Sequence, residues 1–223
     1  MRIWGVANQK GGVGKTTSVV TLGGLLAQEG NRVLVMDLDP HGSLTSYFKY
    51  DPDTIEQSAF DLFMHQGKVP DGLPEQLITG TSCEGLDLMP ASTALATLER
   101  RMVGVEGMGL IISKTLAMLW DQYDYVLIDC PPSLGLLTLN ELTVANEIFI
   151  PLQTEFFALQ GVSKLLQTFE IIKKRLNSSL EITGIIPCMY DNRTKLGQAV
   201  LDKIKEYFED KVFDTNIRKN IKL

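Results

Sequence analysis

The segment RIWGVANQKGGVGKTTSVVTLGGLLAQEG, residues 2–30, constrains the fold more than any other part of the chain. RIWGVAN is apolar and β-prone and reads as a buried strand. TTSVVTLGGLLAQEG carries apolar residues at helical spacing and stops at Gly30. The glycines between them therefore sit in a strand-to-helix turn. Small residues there let backbone N–H groups turn inward around a phosphate, and the helix N-terminus adds partial positive charge. Lys15 can then reach the β- and γ-phosphates, and the Thr16 hydroxyl can ligate Mg²⁺. A turn that merely packs a helix on a sheet needs neither the lysine nor the paired threonines.

Strand and helix patterns alternate along the remaining chain. RVLVMDLDP (32–40) is a buried strand ending in two aspartates, and YDYVLIDCPPS (123–133) is another ending in one. LDLMPA, EIFIPLQ and LEITGIIPCMYD read as further strands, with Pro187 marking a break or an edge position. KVFDTNI begins a last one. Helical patterns cover STALATLERR, LIISKTLAMLW, LLTLNELTVAN, ALQGVSKLLQTFEIIKKRL and QAVLDKIKEYFED, while 41–80 reads as irregular with short helices. The strands are too continuously apolar for a sheet with one wet face. The pattern predicts one α/β domain over 1–223: a mostly parallel twisted sheet flanked by helices, with its ligand at the carboxyl ends of the strands.

Composition bounds the partners. The 223 residues are 44% hydrophobic and 22% charged, enough to bury one sizeable core. No run of about 18 apolar residues occurs, so no membrane span is expected. Cys83, Cys130 and Cys188 match no zinc or redox spacing and read as reduced cytosolic thiols. The net charge of −6 gives no bulk support for nucleic-acid binding, so any such site must be a local patch or be assembled by dimerisation. His65, in an apolar-flanked segment, reads as structural or surface.

The carboxylates fall where phosphate chemistry needs them. Asp129 follows four apolar strand residues and can hold Mg²⁺ beside a γ-phosphate. Asp37 and Asp39 are two apart, so on a strand they share a face. The standard G-x-x-x-x-G-K-[ST] loop is not satisfied, because its first glycine would fall at Gln9. The form present is K-G-G-x-G-K-T-T: Lys10, Gly11, Gly12, Val13, Gly14, Lys15, Thr16 and Thr17. This resembles the deviant Walker A motif of the ParA/MinD group of P-loop ATPases.

The resemblance implies a role for the early lysine. In that group it reaches across a dimer interface to the other subunit's nucleotide, so Lys10 implies an ATP-dependent homodimer. Asp129 matches the Walker B-like position. VMDLDPHG matches D-x-D-P-Q-G, which implies that Asp39 orients the attacking water and Asp37 supports Mg²⁺. The family's glutamine is His41 here, a side chain that can still donate and accept hydrogen bonds, so the departure bears on the local hydrolysis rate rather than on the activity itself. The implied activity is slow, partner-stimulated ATP hydrolysis with Lys10, Lys15 and Asp39 as its catalytic residues.

IDCPPSLGLLTLNELTVAN, IPLQTEFFALQGVSKLLQTFEIIKKRLN and MYDNRTKLG resemble chromosome and plasmid partition ATPases of the ParA/Soj type over essentially the whole chain. That implies non-specific double-stranded DNA binding through Arg193 and Lys222, a ParB-like stimulating partner, and a cytoplasmic, nucleoid-associated protein. DLDPHGSLTSYFKYDPD resembles ATPases that position chemoreceptor arrays, an alternative cargo. A MinD-like membrane-positioning ATPase would need a basic amphipathic C-terminal helix. An amidoligase would need a polar substrate pocket, and an iron–sulfur reductase suitably placed cysteines. A non-catalytic nucleotide-gated module is a further alternative. After IRKNIKL the family runs on for roughly thirty residues, with a loop near the adenine and a final helix, whereas this chain stops at Leu223.

Overall fold

The computed structural model describes residues 1–102, 104–155, 158–190 and 193–218. In chain order its elements are β1 (Arg2–Val6), α1 (Lys15–Gln28), β2 (Val33–Asp37), α2 (Ser43–Tyr47), α3 (Ala59–Leu62), α4 (Leu73–Gln76), β3 (Thr79–Gly80), β4 (Leu86–Met89), α5 (Leu98–Arg101), α6 (Ile111–Met118), β5 (Tyr125–Asp129), α7 (Leu136–Val144), β6 (Glu147–Gln153), α8 (Ala158–Arg175), β7 (Glu181–Tyr190), α9 (Lys195–Phe208) and β8 (Ile217–Arg218). Eight strands form one sheet in the order β3-β4-β2-β5-β1-β6-β7-β8, parallel except for the β3–β4 pair. The expected fold class is the one observed, and 41–80 does hold only short elements.

Both sheet faces are covered. Alternation along β2 sends Val33 and Val35 into a layer with Val19 and Ala27 of α1, while Leu34 and Met36 join Ile111, Leu116 and Leu142 on the other side. Burial on two faces is why these strands read as unbroken apolar runs. It is also why parallel crossovers, with their helices, are the stable connection.

The topology places the polar ends. β5 lies between β1 and β2, with Val6 and Asp37 both in register with Asp129. The loops leaving β1, β2 and β5 therefore meet at one edge of the sheet, where the chain reverses its direction of travel across the strands. Such a reversal leaves a crevice at the carboxyl ends.

Pro187 does not break β7, nor is β7 an edge strand. It pairs with β6 from Glu181 to Cys188 and with β8 beyond. The Ile185 carbonyl accepts from the Phe213 N–H on the β8 side, and the Cys188 carbonyl accepts from Thr154 on the β6 side. By alternation the Pro187 nitrogen faces β8. There the ladder lapses between the Ile185–Val212 bridge and the Cys188–Ile217 pair, so no donor is missed. Pro151 of β6 likewise lies just past the end of β1, and the Asn8 side chain covers its carbonyl at 2.7 Å.

Candidate nucleotide-binding site

Gly12 (φ +70°) and Gly14 (φ +96°) carry the chain through left-handed backbone into α1. Side chains there would be strained, so glycine makes this reversal accessible. The loop is pinned at its start: Asn8 Oδ1 accepts from the Lys10 N–H at 2.9 Å while its Nδ2 donates to Pro151. Lys15, the first residue of α1, is only 7% exposed. Its Nζ lies 3.4 Å from the Lys10 carbonyl oxygen, a weak contact that a phosphate oxygen can replace.

Three aspartates differ in environment. Asp129 is 1% exposed; its Oδ2 accepts from the Thr16 hydroxyl at 2.6 Å and its Oδ1 has no partner. Burial, then the negative charge of Asp37, pushes its carboxyl up to about 7. Asp37 is fully buried and accepts from the Thr45 N–H (2.8 Å), the Thr45 hydroxyl (2.7 Å) and the Asp39 N–H (3.1 Å). Burial raises it to about 6, against those hydrogen bonds. Asp39 faces the cleft, with Oδ1 on the His41 N–H (3.0 Å) and Nδ1 (2.8 Å).

An orphaned buried carboxylate oxygen beside a threonine hydroxyl, with a second carboxyl behind, fits a divalent cation whose charge would offset the burial. Among the described residues no three His, Cys, Asp or Glu cluster to hold a metal by themselves. That suits Mg²⁺, which takes one or two protein oxygens and completes its shell with phosphate and water.

Residues 11–17, Asp39, His41 and Ser43 line a cleft of about 690 Å³ together with Pro132, Cys188, Met189, Ile217 and Arg218. Met189 holds φ +53° at the end of β7, an uncommon conformation for a side-chain-bearing residue.

Lys10 stands apart from this convergence. Its ammonium lies 2.7 Å from Oε1 of Gln153, the last residue of β6, and 2.6 Å from Glu155 Oε2 just beyond it, and Lys10 is not among the residues lining the cleft. Arg193 is exposed in the turn before α9, and Lys222 lies outside the described residues. Sequence reasoning passed over Asn8, Thr45, Gln153 and Glu155. Asn8 alone carried a signal, as an amide at the junction of strand and loop.

A glycine loop opening a helix beneath a parallel sheet, with strand-end aspartates beside it, defines a P-loop nucleotide-binding protein. Residues 1–182 match the family described as an AAA domain. The chain is 42% identical over 222 residues to the sporulation initiation inhibitor protein Soj of Bacillus subtilis, covering all of this chain and 86% of that protein. It is 44% identical to the chromosome-partitioning ATPase Soj of Treponema pallidum, covering 97% and 82%. A structure described as cobyrinic acid a,c-diamide synthase from Mycobacterium smegmatis, with bound ATP analog and magnesium, superposes at TM-score 0.91. It is 38% identical and covers 99% of this chain and 88% of that one. A plasmid partition protein from Borrelia burgdorferi superposes at 0.82 with 26% identity, covering 100% and 91%. The chain belongs to the Soj/ParA family of partition ATPases.

Proposed function

We propose that this chain is a cytoplasmic, ATP-gated dimerising switch that hydrolyses ATP slowly and rides non-specific DNA to segregate cargo. The observation that carries the reading is the division of labour between two lysines of one loop. Lys15 is buried at the phosphate cradle, while Lys10 points away from it. A cation directed out of its own site is useful to a second copy of the chain.

Within the site, loop N–H groups and Lys15 bind and orient the phosphates, which is most of what phosphoryl transfer asks of a protein. Thr16 and Asp129 would hold Mg²⁺, with Asp37 behind them; when bound, the ion neutralises charge on the β- and γ-phosphates. Asp39, at the cleft wall, orients the attacking water, and the neighbouring His41 restrains the Asp39 carboxylate through Nδ1.

Charge distribution supports the DNA arm. Residues 158–223 carry twelve Lys and Arg against eight Asp and Glu, a net +4, whereas residues 1–157 carry nine against nineteen, a net −10. Arg193 and Lys195 sit at the N-terminal end of α9, where the helix dipole disfavours cations. A phosphate backbone can meet both cations there, and pairing two subunits doubles the patch. A ParB-like protein would then reset the cycle by stimulating turnover.

An amidoligase reading takes support from the Mycobacterium smegmatis structure. Beyond the loop, Asp39 and His41, however, the cleft offers Arg218 as its only charged side chain among the described residues. The test is binding to random-sequence duplex DNA with ATP, ADP or no nucleotide across a salt series, for wild type, Lys10→Ala and Arg193→Ala. ATP-dependent, salt-sensitive binding weakened in both variants supports the reading. Dimers that form on ATP without binding DNA redirect it to a protein array or membrane cargo.

A further inference from the structure

We infer that Glu155 and Gln153 are positioning residues for Lys10, holding its ammonium within the single subunit and so setting how readily ATP-loaded subunits pair. This rests on the dimer reading above.

The three side chains satisfy one another in a closed triangle. Lys10 Nζ donates to Glu155 Oε2 (2.6 Å) and to Gln153 Oε1 (2.7 Å), and Gln153 Nε2 donates to the other Glu155 oxygen. Both ends of the Gln153 amide are thus committed, and the glutamate carboxylate is shared between a cation and an amide. The backbone prearranges the triangle. Asn8 ties the Lys10 N–H to the Pro151 carbonyl, so the loop runs beside Pro151, Gln153 and Glu155 in turn.

Reaching a second subunit's phosphates requires Lys10 to leave these partners. The lysine and glutamate side chains remain 49% and 55% exposed, so water screens their attraction. A hold of that strength delays pairing without preventing it. Glu155 also places negative charge next to the cation that must meet an anionic nucleotide. Neutralising it removes the competitor.

The experiment is sedimentation velocity over a protein concentration series, with Mg²⁺ and a non-hydrolysable ATP analogue, on wild type, Glu155→Gln, Lys10→Ala and the double variant. Two such holds break per dimer, so Glu155→Gln is expected to tighten the dimer by about two- to thirty-fold. The double variant should behave as Lys10→Ala alone, which a merely structural role for Glu155 does not predict. Gln153→Ala should shift the constant in the same direction by less. A dimer constant unchanged or weakened by Glu155→Gln, with wild type dimerising normally, overturns the inference and leaves the proposed function standing. If analogue-bound wild type and Glu155→Gln both remain monomeric at every concentration, the dimer reading fails, and the inference fails with it.

Discussion

The carboxyl of Glu141 occupies the space that a side chain at Gly5 would fill: its Oε1 lies 2.6 Å from where a Cβ at residue 5 would stand. Glu141 projects from α7 onto the centre of β1, fully buried, with neither oxygen hydrogen-bonded. A large ionisable group is thus matched to the smallest residue in the central strand.

Gly5→Ala should therefore destabilise the protein. The added methyl would also meet Ile148 Cδ1 at 2.5 Å, and overpacking of this kind costs roughly 1–3 kcal/mol. Chemical denaturation reads the loss. Adding Glu141→Ala should recover part of it, and strict additivity of the two changes would contradict the packing relationship.

Burial pushes the Glu141 carboxyl up to about 8, so the acid is held neutral at pH 7. The unfolded chain ionises near the ordinary value of 4.5, and above it the folded protein holds a proton that the unfolded one has lost. The associated stability is present below pH 4.5 and is lost as pH rises towards 8. Asp37 and Asp129, raised to about 6 and 7, act with the same sign in the nucleotide-free protein. Each such proton contributes a slope of at most about 1.4 kcal/mol per pH unit. Glu141→Gln should remove most slope near pH 6, midway between the two values, and should leave the curve nearly flat between pH 7 and 8, where Asp37 and Asp129 contribute little. Parallel wild-type and variant curves would refute the buried neutral acid.

Thr45→Val keeps the shape and removes the hydroxyl that donates to Asp37 and accepts from the Ala91 N–H at 2.8 Å. Two buried partners are left short, a change costing about 1–3 kcal/mol. Thermal unfolding should show it without nucleotide. A variant as stable as wild type would mean that the Asp37 carboxyl finds another donor.

Thr16→Ala removes both the donor to Asp129 and a proposed Mg²⁺ oxygen, whereas Thr16→Ser retains them. Equilibrium binding of a fluorescent ATP analogue, with and without Mg²⁺, should show the metal-dependent part of the affinity lost in Ala and kept in Ser. Equal behaviour of the two variants would remove Thr16 from the metal assignment.

Much of this was legible in the chain. KGGVGKTT between an apolar strand and a periodic helix required a phosphate loop, because few other turns need glycines, a lysine and a hydroxyl together. The run VLID announced a buried strand with a polar end. Asp37 and Asp39 were legible as a pair but not in their separate orientations: β2 ends at Asp37, so the strand alternation that would align them stops there. Pro187 read as a break or an edge position because sequence does not tell which side of a strand lacks a partner.

Local pattern determined the elements and the phosphate loop, since periodicity, glycine at left-handed backbone and strand-end carboxylates act over a few residues. Only the tertiary structure decided which distant groups meet. Lys10 with Glu155, Glu141 over Gly5 and Thr45 behind Asp37 are long-range encounters created by inserting β5 between β1 and β2 and laying β6 along β1. The energies that select them, desolvation of a carboxyl and pairing of charges, depend on what surrounds a side chain in space, which no stretch of neighbouring sequence specifies.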